Sequence, residues 1–170
     1  MATSPLQTLV HLLAPWQSTF SNSKPIATAV IFVHLGALLF GGGVAVATDR
    51  VTLRARHGPA GDRVHCLGQL HMAHRPVLVS LGLLFMSGLL MVTADIETFV
   101  KSPVYWAKMT LVVLLLANGL VLEKTETALR HTPTSQWDAA VWTRLARTAR
   151  VSIALWTAVV LAGTILVNAS

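Results

Sequence analysis

The sequence predicts an all-α integral membrane protein: a four-helix bundle with an amphipathic surface helix at its N-terminus. Three observations predict it. Of 170 residues, 54% are hydrophobic and only 12% charged. Four apolar stretches are each long enough to cross a hydrocarbon core of ~30 Å, which takes about 20 residues of helix. The basic residues collect in two of the segments between those stretches. In hydrocarbon such a stretch satisfies its backbone only as a helix. A net charge of +6 would suggest nucleic acid in a soluble protein; here the placement of the charges points to a lipid bilayer and to no nucleic acid.

Residues 1–24 form an outer segment in which Leu6, Leu9, Val10, Leu13 and Trp16 recur at helical spacing, as in a helix lying on a membrane surface. With no basic run before its apolar stretch and no small-x-small site after it, this segment is expected to be retained. Residues 25–170 form the membrane domain, with spans at about 25–48, 76–94, 103–122 and 151–167. Pro25, Pro76 and Pro103 open the first three, where a first helical turn tolerates proline. Arg50, Arg54, Arg56, Arg63 and Arg75 lie between spans one and two, and Lys124, Arg130, Arg144, Arg147 and Arg150 between three and four. The other exposed segments carry Lys24, and Lys101 against Asp95 and Glu97. The positive-inside rule puts both basic loops in the cytoplasm and both termini outside, on the periplasmic side of a bacterial inner membrane. In "TPTSQWDAAVWTRLARTAR" Trp137, Val141, Leu145 and Thr148 share one face while Arg144, Arg147 and Arg150 lie towards the others. That pattern reads as an amphipathic approach to span four, resting on anionic lipid. Cys66 is the only cysteine, which excludes an intrachain disulfide and a cysteine-built metal cluster.

Chemistry is expected at two levels. On span one, His34, Ala37, Gly41, Ala45 and Thr48 form a stripe of small side chains with an imidazole near its outer end. The stripe is either a helix–helix contact with His34 bonded to a neighbour, or a face that offers an imidazole nitrogen to a metal or b-type haem. In the second case Gly41 and Gly42 make room for a flat macrocycle. Helix rise puts His34 about 12 Å below the outer face, and Lys108, five residues into span three, in the same leaflet. Lys108 either snorkels to the surface or pairs inside the bundle with a haem propionate, with Asp95 or Glu97, or with an anionic substrate. Met91, at similar depth on span two, is a core residue or a thioether ligand opposite His34. At the cytoplasmic end, His71 and His74 stand three apart in "VHCLGQLHMAHRP", and Asp49 ends span one. They form an inner station for a divalent metal or a haem iron, or a solvated edge. His34 and His74 are separated by roughly 18 Å along the normal and cannot clamp one haem. Asn118 and Asn168 are expected to bond between helices.

"FVHLGALLFGGGVAVA", "RPVLVSLGLLFMSGLLMV", "SPVYWAKMTLVVLLLANG" and "RVSIALWTAVVLAGTILVN" together resemble the four-helix membrane unit of the copper-resistance D (CopD-like) family and, more distantly, the HemJ-like protoporphyrinogen oxidases. The resemblance spans residues 26 to 168. It implies copper uptake in the first case. In the second it implies bound haem with a functional first-helix histidine and third-helix lysine, the positions matched by His34 and Lys108.

The leading expectation is a b-type haem redox protein with His34 as axial ligand and Lys108 as electrostatic partner, exchanging electrons with a quinone or a membrane redox partner. The alternatives are transport of copper or another metal, with His71, His74 and Asp49 as the inner station, and a non-catalytic accessory subunit or homo-oligomer component of a larger membrane complex. No residue is assigned a catalytic role.

Overall fold

The computed structural model describes residues 5–169, and among them there is helix and no strand. Leu6, placed by its spacing on the apolar face of the N-terminal helix, has its side chain outside the described set. Six α-helices follow in order: α1 (Pro5–Asn22), α2 (Lys24–Ala55), α3 (Ala60–Ala94), α4 (Ile96–Lys101), α5 (Pro103–Arg130) and α6 (Ala139–Ala169), with a 3₁₀ turn at Thr134–Gln136. Four of them, α2, α3, α5 and α6, are long and apolar enough to cross a membrane. The fold is an all-α membrane helical bundle.

Local chemistry sets the boundaries. Ser102 caps α5 by accepting from the Tyr105 N–H at 3.4 Å, and Pro103 fills the first turn. Asp95 ends α3 and caps α4 through the Thr98 N–H at 3.4 Å. In the α2–α3 turn a Cβ on Gly58 would stand 2.6 Å from Asp62 Oδ2, so any side chain there would displace the Asp62 carboxylate. Arg63 closes the end of α2, donating to the carbonyls of Ala55 at 3.4 Å and Arg56 at 3.1 Å.

The long helices pack as a chain of neighbours: α3 on α2, α2 on α6, α6 on α5. The circuit does not close evenly, because α3 and α5 scarcely touch. α6 occupies the centre through a seam of Trp142, Leu145, Ala149, Ser152, Trp156, Val159 and Leu166, all buried and separated by steps of three, four or seven, the spacing of knobs-into-holes packing. At the end where α2 and α5 finish and α3 and α6 begin, Ala55, Cys66, Leu67, Leu70, Leu129, Trp142 and Leu145 form one buried cluster. The basic residues gather here, and the guanidinium of Arg63 lies 5.4 Å from the Trp142 ring centroid.

Two features differ from the sequence expectation. α3 starts at Ala60, so Pro76 lies inside the helix instead of in its first turn. Its missing N–H leaves one carbonyl a turn earlier without a helical partner. The extension is held by Cys66, Leu67 and Leu70, which pack into the cluster. The approach to span four also behaves differently from a helix resting on lipid. Trp142 is 1% and Leu145 0% exposed, because the extended α3 and the last turns of α5 supply an apolar surface that takes their side of α6. Trp137 fastens the α5–α6 connection, its indole N–H shared between the carbonyls of Leu129 at 3.2 Å and Thr132 at 3.1 Å. Asn118 bonds between helices, donating to the Thr148 carbonyl at 3.0 Å, whereas Asn168 donates within its own helix to Thr164 at 2.8 Å.

The N-terminal helix docks on the bundle. The Trp16 indole donates to the Leu90 carbonyl at 3.0 Å and Gln17 to that of Thr93 at 3.5 Å, while Leu12 remains exposed.

Candidate functional site

Away from the basic end, each of the four long helices contributes to one polar layer. α2 and α3 run antiparallel in a register that sets Gly41 against Ser80 and His34 against Ser87. His34 Nδ1 is 3.0 Å from Ser87 Oγ. Ser87 directs its own hydroxyl proton to the Leu83 carbonyl at 2.6 Å, so its oxygen accepts from Nδ1–H. The imidazole is thereby held in the tautomer whose Nε2 carries the lone pair. A Cβ on Gly88 would stand 3.5 Å from His34 Cε1, an ordinary contact, so the ring lies against a stretch of α3 that is bare of side chain.

Across the bundle, Lys108 of α5 extends towards α6, where its Nζ would be 3.5 Å from a Cβ built on Gly163. It is half-buried and lies within electrostatic range of His34. Among the described residues no carboxylate forms an ion pair with it: Asp95 caps α4, and the ion pairs present are His74–Glu123 and Arg130–Glu126. The layer therefore joins an oriented imidazole and an unpaired ammonium, with glycine beside each.

The other expected site residues are placed as follows. Gly41 and Gly42 are filled over by neighbours. A Cβ on Gly41 would come within 2.5 Å of Ser80 Cβ, and one on Gly42 within 3.2 Å of Trp156 Cε3. Their bareness lets α2 approach α3 and α6, and no room is left above them for a macrocycle. Met91 shares the α3 face of Ser87 and Gly88, but one turn further towards the end of the helix, about 6 Å from the level of His34. It is half-buried.

At the basic end the three expected residues are not brought together. His71 is exposed. His74 Nε2 pairs with Glu123 Oε1 of α5 at 3.2 Å. Asp49 is 1% exposed and faces Ser152 of α6, and its Oδ2 has no hydrogen-bond partner. Among the described residues no group of three histidine, cysteine or acidic side chains is close enough to hold a metal ion.

Ser87, Ser152 and Glu123 had no place in the sequence reading. The available signal was the pair Ser80 and Ser87, two buried hydroxyls seven residues apart on an otherwise apolar stretch of helix. No family model matches the chain, and neither a curated protein nor a solved structure matches it.

Proposed function

We propose that this is a b-type haem redox protein of a bacterial inner membrane, with His34 as axial ligand and both termini on the periplasmic side, exchanging electrons with a quinone or a partner subunit. One observation carries the reading: Nδ1–H of His34 is bound to Ser87 at 3.0 Å, which leaves Nε2 as a fixed donor atom. Iron-ligating imidazoles use their second nitrogen in this way, to set the tautomer and the plane of the ring. The donor chemistry of the layer fits the group: a neutral imidazole for the iron and an unpaired Lys108 ammonium for a propionate carboxylate. When bound, haem would supply a one-electron couple. His34 binds, Ser87 orients it, and Lys108 balances negative charge in a medium where an isolated cation is costly.

The absorption spectrum of protein produced with ample haem tests this. A Soret band that shifts on reduction is expected in the wild type and is expected to be lost in His34→Ala; a wild type without the band overturns the reading. The orientation rests on the basic segments. Because Cys66 is fully buried, an impermeant thiol reagent has no background target. It should label a cysteine at Ser21 in intact cells and leave one at Gln136 unlabelled, and the reverse pattern inverts the topology.

A second reading, an accessory subunit of a larger membrane complex, is favoured by the broad apolar faces of the spans, where Leu39 is 77% exposed and Phe32, Phe40, Phe85 and Val113 are also exposed. Such surface suits lipid or neighbouring helices equally. A purified protein that carries no chromophore and co-purifies stoichiometrically with another membrane chain would select this reading.

A further inference from the structure

The packing of α6 against the basic-end cluster has an effect on the arginines of the same stretch. With Trp142, Leu145, Ala146 and Ala149 turned inward and buried, Arg144, Arg147 and Arg150 are all exposed along an upright helix. The neighbouring helix α2 carries Arg50 and Arg54, also exposed. Asp49 of α2 faces Ser152, so Arg150, about 200° round the helix from Ser152, points away from α2 and outward from the bundle.

Among the described residues no carboxylate pairs with these guanidiniums. Asp49 is buried, Asp138 caps α6 by accepting from the Ala140 N–H at 2.9 Å, and Glu123 and Glu126 hold His74 and Arg130. Asp62 lies beside Gly58 in the α2–α3 turn. Beyond Arg150 the same outer side of α6 carries Val151, Leu161 and Ile165, all exposed. Exposed guanidiniums set beside exposed apolar side chains match a molecule that carries an anionic phosphodiester on acyl chains. They do not match a single-stranded nucleic acid, which would need exposed aromatic side chains between the cations.

We propose that Arg144, Arg147 and Arg150 of α6 form a binding surface for the headgroups of anionic phospholipid. The three α6 arginines climb about 9 Å along the helix axis. Each interfacial headgroup layer is only about 5–7 Å thick. Arg150, next to the exposed apolar side chains, meets the phosphates, Arg147 shares them, and Arg144 reaches past them into water.

The test is native mass spectrometry of the full chain released from mixed micelles of phosphatidylglycerol and phosphatidylcholine, counting retained lipids of each kind. The wild type is expected to retain phosphatidylglycerol preferentially. The preference should fall roughly fivefold for Arg150→Gln, less for Arg147→Gln and least for Arg144→Gln, following a surface attraction of order one interaction per arginine. The triple lysine variant at 144, 147 and 150 should keep most of it. Equal retention of both lipids by the wild type overturns the proposal, as does an unchanged preference in Arg150→Gln, whose exposed side chain is outside the core. Loss of phosphatidylglycerol to an equal concentration of inorganic phosphate would also overturn it, since a free anion would then suffice. None of these outcomes depends on haem.

Discussion

The basic end and the opposite half of the bundle are built on different principles. At the basic end, large side chains interlock: Trp142, Leu145, Leu67, Leu70 and Leu129 are nearly or fully buried, and Arg63 and Trp137 fasten the connections around them. In the opposite half, the helices meet through Gly41, Ser80, Ser87, Gly88 and Gly163, and the polar groups His34 and Lys108 stand among them. One region is packed to hold the helices together. The other is spaced to let polar groups stand within the apolar spans, where a polar side chain is costly unless it has a task or a partner. Close packing and polar side chains are thus separated along the helix axis.

The largest expected effect probes the packed region. Trp142→Ala removes the most voluminous fully buried side chain and should cost about 3–5 kcal/mol. It should read as a strongly lowered melting temperature in detergent, whereas His34→Ala should leave the melt nearly unchanged. Equal destabilisation by the two would erase the division. Next comes Gly41→Ala, whose new methyl has no room beside Ser80; overpacking of this kind costs about 1–3 kcal/mol. Gly43→Ala is the control, since nothing lies within 4 Å of its added carbon. A melt that falls equally for both would mean that α2 and α3 do not approach as closely as their glycine and serine faces permit.

Ser87→Ala acts on the chemistry alone. It frees the His34 ring to rotate and change tautomer, and on the proposed reading haem affinity should drop about tenfold while the melt moves little. Titration of haem into the apoprotein measures it, and an unchanged affinity would reduce Ser87 to a packing residue. The smallest effect is expected for Glu123→Gln. Its ion pair with His74 joins α3 to α5, but the side chains are 33% and 45% exposed, so its loss should cost less than about 1 kcal/mol. A larger loss in a denaturation experiment would show that this contact closes a seam which the backbone leaves open.

How much of this was legible from residues follows the same division. The four spans were readable because lipid exposure demands long apolar runs, and the shared level of His34 and Lys108 followed from their distances to the span starts. The partner of His34 was not readable. A stripe of small residues announces that something comes close, and whether that is Ser87 of α3 or a ligand depends on which helix turns its own small residues inward. The basic end hid for a different reason. Residues 60–75 contain five arginine or histidine side chains, so hydropathy reads them as loop. Cys66, Leu67 and Leu70 gain their meaning only when Trp142 and Leu145, more than seventy residues later, arrive to cover them.

That distance has a consequence for biogenesis. Leu129 and the two residues that seal the cluster, Trp142 and Leu145, are translated after the α2–α3 hairpin, so the thiol of Cys66 has no lid while the ribosome is still making the second half of the chain. In the finished protein the same sulfur is 0% exposed, with Thr52 Oγ1 at 3.5 Å. Cys66 is consequently a built-in clock for assembly: alkylation of pulse-labelled chains should stop when α6 docks, and the interval before it stops is the time during which this protein is inserted but unfinished.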